Sequence, residues 1–216
     1  MFAEVTYNVF LQATKNIDLK IAVIDNYDSF TYNLVHYIEQ IIGNRPTVYR
    51  NDLSDIQILD SFDCLVLSPG PGLPQQAGRL MEIIELYYTT KPILGVCLGH
   101  QALGLHFGGT LKNLPIVFHG ESVAMNLIGE PILYKSLIDP IYIGRYHSWV
   151  INNNTLHQDL KITGVDEELE IMSFEHEQLP IVGIQYHPES ILTPNGLAIL
   201  RNFFDLYVQT YLKVKD

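Results

Sequence analysis

The chain has 216 residues, of which 47% are hydrophobic and 17% charged, and it carries a formal net charge of −11 at pH 7. This length suits one domain with a sizeable core, and the composition excludes a disordered, collagen-like or coiled-coil protein. The acidity argues against nucleic acid or an anionic membrane as a partner, because both present phosphate groups that would repel the chain.

Two cysteines, Cys64 and Cys97, are too few for the disulfide framework of a small secreted protein. No apolar stretch approaches the roughly 18 residues of a membrane span. The first residues, Met1 to Tyr7, have neither the basic start nor the continuous apolar run of a signal peptide. We therefore expect a cytoplasmic protein.

The chain divides into an N-terminal extension, residues 1–19, and one domain, residues 20–216. The extension precedes the first predicted strand, and the sequence leaves open whether it is an edge strand, a disordered tail or a consequence of start-site choice. No internal repeat, linker or low-complexity tract divides the rest of the chain.

In the first half of the domain, short apolar runs alternate with amphipathic segments. The predicted strands are Ile21–Ile24, Thr47–Arg50, Cys64–Leu67 and the run that ends just before Cys97. The predicted helices are Phe30–Ile42, Leu53–Leu59, Gly78–Tyr88 and the segment from Leu98 to Phe107. We expect Asp28 or Ser29 to cap the first helix and Gly43 to end it. The alternation is typical of an open, doubly wound α/β sheet whose strands are mostly parallel.

Beyond Thr110 the helical spacing fades, and short strand-like runs follow one another. These predicted strands are Val123–Leu127, Ile141–Tyr146, Leu160–Val165, Ile171–Phe174 and Ile181–Gln185. They indicate a small antiparallel portion added to the sheet and a return strand that leads to His187. A last helix is predicted over Asn195–Leu212.

Cys97 stands at the turn between a buried strand and a helix. Gly95 and Gly99 lie two residues away on each side, which is the spacing of a strained strand-to-helix elbow that exposes a nucleophile. The free N–H groups at the start of the helix would favour the thiolate form. The pattern alone leaves open a small buried hydrophobic cysteine instead, which is the role predicted for Cys64 within its apolar run.

A candidate base follows the last predicted strand, in the segment Tyr186-His187-Pro188-Glu189. A cysteine nucleophile needs a base, and the base needs a carboxylate that orients it. His187 and Glu189 stand two residues apart, so both side chains point to the same side of an extended segment. His100 competes as the base because it follows Cys97 closely. No Cys/His cluster has the spacing of zinc ligands, so we expect no catalytic metal.

Five stretches occur in the order in which one enzyme family has them: Ile24–Leu34, Ser68–Gly72, Gly95–Gln101, Arg145–Ser148 and Gln185–Leu192. On these residues the chain resembles the class I (triad-type) glutamine amidotransferases. It is most similar to the small subunit of anthranilate synthase and to its near twin, the amidotransferase subunit of aminodeoxychorismate synthase. The resemblance implies a flavodoxin-like fold, hydrolysis of L-glutamine through a cysteine thioester, and delivery of ammonia to a chorismate-using synthase subunit. It also implies no cofactor in this chain, with Mg²⁺ only in the synthase subunit.

The resemblance also implies roles for individual residues. Cys97 would be the nucleophile, His187 the base and Glu189 the carboxylate that orients it. The N–H groups of Leu98 and Gly72 would hold the oxyanion. The residues implied to contact glutamine are Gly70, Pro71, Gly72, Gln101, Ser148 and Trp149. By propensity alone, the Pro-Gly-Pro-Gly stretch would be read as a simple turn.

Two positions depart from the family pattern. Trp149 stands where leucine is more usual, and because the contact there is expected to be main-chain, we expect glutamine binding to persist. Glu121 stands where lysine is more common, at a position expected to face the partner protein. This second departure concerns docking of the partner, and it leaves the residues around Cys97 unaffected.

Three alternative functions stay open at this point. The partner could make aminodeoxychorismate for folate, or one subunit could serve both pathways. The chain could be a stand-alone cysteine hydrolase of γ-glutamyl compounds, which would be active without a partner. It could also be a binding module without activity, which the joint presence of Cys97, His187 and Glu189 disfavours.

Overall fold

The computed structural model describes residues 19–115 and 120–215. Of the predicted N-terminal extension, residues 1–18 lie outside this described part. Leu19 is described, and its side chain is buried in the core next to the first strand. The helices of residues 19–115 and 120–215 include none with the length and hydrophobicity of a membrane span.

The described chain contains eleven strands. They are β1 (Ile21–Asp25), β2 (Thr47–Arg50), β3 (Cys64–Leu67), β4 (Ile93–Val96), β5 (Leu111–Asn113), β6 (Glu121–Leu127), β7 (Ile141–Arg145), β8 (Trp149–Ile151), β9 (Leu160–Val165), β10 (Ile171–His176) and β11 (Ile181–Ile184). Nine of them form one sheet in the order β2-β1-β3-β4-β11-β10-β9-β6-β7, and β5 pairs with β8 in a separate ladder.

The large sheet has a parallel and an antiparallel half. Strands β2, β1, β3, β4 and β11 run parallel to one another, whereas β11, β10, β9, β6 and β7 pair antiparallel. The predicted open α/β sheet with an added antiparallel portion is therefore confirmed, and that portion contributes four strands beyond β11.

Five α-helices accompany the sheet: α1 (Thr31–Ile42), α2 (Leu80–Tyr87), α3 (Leu98–His106), α4 (Gly196–Asn202) and α5 (Gln209–Lys215). A π-helical segment, Phe203–Val208, joins α4 to α5. Short 3₁₀ turns occupy Ile56–Ser61, Pro74–Gln76, Ile132–Tyr134 and Asn153–Thr155.

Helices cover both faces of the parallel half, as a doubly wound sheet requires. Successive residues of a strand point to opposite faces. Val23 of β1 belongs to the same buried cluster as Leu34 and Ile38 of α1. Its neighbour Ile24 belongs to a second buried cluster with Leu80 of α2. Each fully buried aliphatic side chain of this kind contributes about 1.5–3 kcal/mol through loss of contact with water.

The start of α1 differs from the prediction. Neither Asp28 nor Ser29 caps the helix, because Phe30 occupies the N-cap position without a side-chain hydrogen bond. Asp28 instead accepts the N–H of Phe30 at 2.7 Å, one residue before the helix. The end is as predicted, since Gly43 adopts the left-handed conformation with a φ of 83°.

Three other details were not anticipated. The helix predicted over Leu53–Leu59 is a 3₁₀ turn that begins after Asp55, whose side chain accepts the N–H of Gln57. The β5–β8 ladder was missed because its strands are only three residues long. The π-helical segment interrupts the predicted last helix without a glycine or proline to mark it.

Candidate active site

Cys97 occupies a strained turn between β4 and α3. Its backbone has a φ of 50° and a ψ of −99°, an unusual conformation for a residue with a Cβ atom. Such strain costs on the order of 1–3 kcal/mol and is typical of functional sites. Close packing requires the flanking glycines: a Cβ atom on Gly95 would lie 2.5 Å from the Gly99 carbonyl oxygen, and one on Gly99 would lie 2.5 Å from the Leu67 carbonyl oxygen. The predicted elbow is therefore present.

The sulfur of Cys97 is nearly buried and lies in a chain of side-chain amides. The Gln185 Nε2 atom donates to the Cys97 sulfur at 3.7 Å. The Gln185 Oε1 atom accepts in turn from Gln101 Nε2 at 3.2 Å. Gln101 Nε2 also donates to the main-chain carbonyl of Trp149 at 2.8 Å. The sulfur, the first turn of α3 and strand β8 are thus joined by hydrogen bonds.

His187 lies beside the sulfur, although the two residues are far apart in the sequence. Strand β11 pairs in parallel with β4, with Ile184 opposite Val96, so the residues that follow both strands emerge at the same edge. The His187 Nδ1 atom lies 2.8 Å from Glu189 Oε1, and both side chains are buried. Burial disfavours the charged ring, but hydrogen bonds to Cys97 and Glu189 outweigh it and raise the pKa of His187 well above its ordinary value.

Two aromatic rings cover the imidazole of His187. The Phe30 ring stands edge-on to it, with 5.5 Å between the centroids, and the Tyr146 ring lies at 4.8 Å. The Tyr146 hydroxyl is 2.9 Å from the Ser190 hydroxyl. Rings at such distances pack against an imidazole and hold it in place.

The Ile24–Leu34 stretch supports the Pro-Gly-Pro-Gly loop from behind. Asn26 donates its side-chain amide to the Ser68 carbonyl at 2.8 Å, and its own N–H donates to the Ser68 hydroxyl at 2.8 Å. A Cβ atom on Gly70 would lie 2.5 Å from the Cβ atom of Asn26, so only glycine fits there. Gly72 has a φ of +76° and open space around it. The loop is therefore a fixed backbone surface.

A pocket of about 220 Å³ lies between this loop and the sulfur. Its lining residues are Gly70, Pro71, Gly72, Cys97, Gln101, Tyr146, His147, Ser148 and Trp149. All six residues predicted to contact glutamine are therefore brought together around the predicted nucleophile. Leu98 is the first residue of α3, directly after the sulfur. This volume is well above the roughly 10–15 Å³ that a single water molecule needs, so the pocket suits a small ligand.

A larger open groove of about 1130 Å³ lies elsewhere, between the β9–β10 hairpin and the C-terminal helix. None of the predicted site residues lines it. Its size reflects its openness to solvent, and it lacks a nucleophile beside a base. The smaller pocket at Cys97 is the better candidate site because chemistry-bearing groups converge there.

His100, the competing base, is placed in the core. It is fully buried, and its ring lies 4.8 Å from the ring of Phe174. Burial lowers the pKa of His100 to about 3, so the ring stays neutral at ordinary pH. Within the described residues, no group of three or more His, Cys, Asp or Glu side chains is arranged to hold a metal ion.

The two departures from the family pattern lie at the edge of the site. Trp149 is half-buried, and its carbonyl group accepts the hydrogen bond from Gln101. Glu121 is exposed at the start of β6, opposite Arg145 in the register.

Sequence reasoning assigned no role to Gln185, Phe30 or Tyr146. The sequence signal that could have identified them is their position within the five stretches that resemble the family.

The chain is similar to known proteins over most of its length. The profile of the family described as glutamine amidotransferase class-I matches residues 22–206. The aminodeoxychorismate/anthranilate synthase component 2 of Bacillus subtilis is 41% identical over 189 residues, which are 87% of this chain and 96% of that protein. The anthranilate synthase component 2 of Azospirillum brasilense is 43% identical over 186 residues, 85% of this chain and 94% of that protein. The aminodeoxychorismate synthase component 2 of Escherichia coli is 41% identical over 185 residues, 85% of this chain and 98% of that protein.

Solved structures share the fold. A structure described as a GMP synthase subunit from Thermoplasma acidophilum has a TM-score of 0.81 at 27% identity, covering 91% of this chain and 97% of that chain. A glutamine amidotransferase from Thermotoga maritima has a TM-score of 0.67 at 16% identity, covering 93% of this chain and 86% of that chain. The family profile and the relatives at about 40% identity show that the chain belongs to the class-I glutamine amidotransferases.

Proposed function

We propose that this chain hydrolyses L-glutamine at Cys97 and delivers the ammonia to a chorismate-using synthase subunit that makes anthranilate. The observation that carries the proposal is that Cys97 and His187 follow two adjacent parallel strands at one edge of the sheet, with His187 hydrogen-bonded to Glu189 beside a pocket lined by the Pro-Gly-Pro-Gly loop. A series of nucleophile, base and orienting carboxylate is what covalent acyl transfer requires.

In the first half of the reaction, the Cys97 thiolate attacks the carbon of the glutamine side-chain amide. The carbonyl electron pair moves to the oxygen, which the N–H groups of Leu98 and Gly72 stabilise. Loss of one such donor costs about 2.7–4 kcal/mol of transition-state stabilisation in comparable enzymes. The protonated His187 ring gives its proton to the departing nitrogen, the carbon–nitrogen bond breaks, and ammonia and a γ-glutamyl thioester remain.

In the second half, His187 takes a proton from water, and the resulting hydroxide adds to the thioester carbonyl. The carbon–sulfur bond breaks, glutamate leaves, and the Cys97 thiolate and the protonated imidazole are restored. Glu189 keeps the imidazole oriented through its Nδ1 atom and favours its charged form. These steps use side chains and backbone of this chain only, and we assign Mg²⁺ to the synthase partner.

The test of the hydrolysis compares the wild-type chain with Cys97→Ala and Cys97→Ser, each combined with the synthase subunit. We expect both variants to lose glutamine-dependent synthesis and glutamate release while synthesis from added ammonium stays at the wild-type rate. Release of glutamate by Cys97→Ala at the wild-type rate would refute the role of the sulfur.

The aromatic product has a second candidate, because relatives named for aminodeoxychorismate synthesis are as similar to this chain as those named for anthranilate synthesis. The Bacillus subtilis relative carries both names. Reconstitution with each synthase subunit, followed by identification of anthranilate or aminobenzoate, distinguishes one pathway, the other, or both. Glutamine hydrolysis at the full rate without a partner would instead favour a stand-alone γ-glutamyl hydrolase.

A further inference from the structure

Arg145 and Asp166 form a buried ion pair that the proposed mechanism does not use. The Arg145 Nη1 atom lies 2.6 Å from Asp166 Oδ2, and each side chain is only 1% exposed. Transfer of two charged groups from water into a protein interior is unfavourable unless they are paired and hydrogen-bonded. A buried pair of this kind next to a pocket therefore points to a role in positioning neighbouring groups.

Asp166 is held rigidly at the turn between β9 and β10. Its Oδ1 atom accepts the N–H of Glu168 at 3.1 Å and the N–H of Glu170 at 2.8 Å. Burial raises the pKa of Asp166, while the Glu170 N–H and the guanidinium favour the carboxylate. Because an arginine stays protonated and lies in direct contact, the ionised pair is the form present at neutral pH. The carboxylate thus serves as a fixed anchor for Arg145.

The guanidinium extends from this anchor to the pocket. Arg145 Nε donates to His147 Nε2 at 3.3 Å, which requires that this ring nitrogen carry no proton. Burial and the charge of Arg145 lower the pKa of His147 to about 3, so the ring is neutral. His147 lines the pocket together with Cys97. The tautomer of His147, which lines the pocket, is therefore fixed by a series of paired side chains that starts at Asp166, outside the pocket.

The main chain that follows His147 forms a wall of the same pocket. Ser148 and Trp149 line it, and they are held on their far side by the Leu114 N–H, which donates to the Ser148 carbonyl at 2.7 Å. Gln101 holds the Trp149 carbonyl at 2.8 Å. On the side of β7, the wall is held through His147 and Arg145. A shift of the Arg145 side chain would therefore move this end of the wall relative to the sulfur.

We propose that Arg145 is a positioning residue for glutamine binding: the buried series Asp166–Arg145–His147 sets the place of the Ser148–Trp149 main chain in the pocket. The inference rests on the proposed function, because it concerns the same pocket. The Asp166–Arg145–His147 series therefore affects glutamine binding more than the chemistry at the sulfur.

The test uses Arg145→Lys and Asp166→Asn in the full chain, combined with the synthase subunit. Lysine keeps the charge but lacks the forked guanidinium that can contact Asp166 and His147 together. We expect the KM for glutamine to rise about tenfold in Arg145→Lys and less in Asp166→Asn, since a buried hydrogen bond is lost or weakened. We expect kcat to stay within about twofold, because the groups at the sulfur are unchanged. Alkylation of Cys97 by iodoacetamide should proceed at the wild-type rate.

The matched controls are Arg45→Lys and Glu177→Gln, which alter exposed ion pairs far from the pocket. Both should show the wild-type KM. A wild-type KM in Arg145→Lys with only a lower thermal midpoint would overturn the inference, as would a fall in kcat at unchanged KM. Should Arg145→Lys fail to fold, the KM of Asp166→Asn decides alone. A wild-type complex that releases no glutamate would instead contradict the proposed function.

Discussion

The side-chain amide of Gln185 donates to the sulfur of Cys97, with 3.7 Å between Nε2 and Sγ, although the two residues are 88 positions apart. Gln185 is the first residue after β11, and Cys97 is the first after β4. The pairing of these parallel strands brings the amide and the sulfur together. A buried N–H donor next to sulfur stabilises a thiolate, since hydrogen bonds to charged groups are the stronger ones.

Replacement of Gln185 by leucine removes this donor and keeps a side chain of similar size. A hydrogen bond to a charged group contributes about 1.5–3 kcal/mol, so we expect kcat/KM for glutamine hydrolysis to fall about tenfold to a hundredfold. The rate of Cys97 alkylation by iodoacetamide should fall in parallel, because the thiolate is the reacting form. The control is Gln178→Leu, at an exposed position away from the pocket. Wild-type alkylation of Gln185→Leu would contradict the prediction.

Replacement of Glu189 by glutamine tests the electrostatic support of His187. The amide can still accept a hydrogen bond from Nδ1, but the negative charge that helps to raise the pKa of His187 is lost. The pKa of His187 should then fall, so the protonated ring that we propose as donor to the departing nitrogen is lost at lower pH. We expect kcat to fall about a hundredfold and the alkaline limb of its pH profile to move to lower pH.

The measurement is the pH dependence of glutamate release by the Glu189→Gln variant in complex with the synthase subunit. The control is Glu177→Gln, which makes the same change at an exposed ion pair. An alkaline limb at the wild-type pH would show that the charge of Glu189 does not act on the imidazole.

Much of the site was predictable because its signals are local. The spacing of Gly95, Cys97 and Gly99 predicts a sharp turn, and the structure shows why no Cβ atom fits at either glycine. The position of His187 beside Cys97 depends on the pairing of β11 with β4, which no local pattern specifies. The order of motifs in the family supplied that relationship.

Other contacts could not be predicted, because they depend on side chains from strands that meet only in the folded sheet. Arg145 ends β7 and Asp166 follows β9, and the two strands lie on either side of β6. Their ion pair is a consequence of this order. The prediction for the N-cap of α1 was wrong for a similar reason. The Asp25 carboxylate accepts a hydrogen bond from the Thr31 hydroxyl at 2.8 Å and fixes the turn from outside the helix.

The buried neutral His100 should make the fold sensitive to acid. Its pKa is lowered by burial from 6.5 to about 3, so between these values the unfolded chain binds a proton that the folded chain does not. The free energy of unfolding should therefore decrease as pH falls below about 6.5, by about 1.4 kcal/mol per pH unit for each such group. His147, whose pKa is lowered by burial and by Arg145, contributes in the same direction.

His100→Leu should remove one of these contributions. Between pH 6 and pH 5, the free energy of unfolding measured in urea should fall by about 1 kcal/mol less in the variant than in the wild type. The comparison concerns the change with pH, because leucine also alters the packing against Phe174. Gln40→Leu, on the exposed face of α1, is the control and should keep the wild-type slope. Equal slopes in wild type and His100→Leu would contradict a neutral buried imidazole.

Gly72 offers a test of the oxyanion donor that separates backbone strain from chemistry. Gly72 and Gly108 have φ angles of +76° and +87°, and a Cβ atom on Gly108 would meet nothing within 4 Å. On Gly72 it would meet only Gln76 Oε1 at 3.8 Å. Alanine at either position therefore introduces the same strain without a clash, about 1–2 kcal/mol of lost stability.

The two substitutions should differ in activity. Relief of this strain in Gly72→Ala turns the backbone away from a φ of +76° and with it the N–H group that we assign to the oxyanion, so we expect kcat for glutamine hydrolysis to fall about a hundredfold or more. Gly108→Ala, at the end of α3 and away from the pocket, should keep the wild-type kcat while losing similar stability. The measurements are the urea unfolding midpoint and glutamate release in the complex. Equal activity of the two variants would show that Gly72 only shapes the turn, because both carry the same strain.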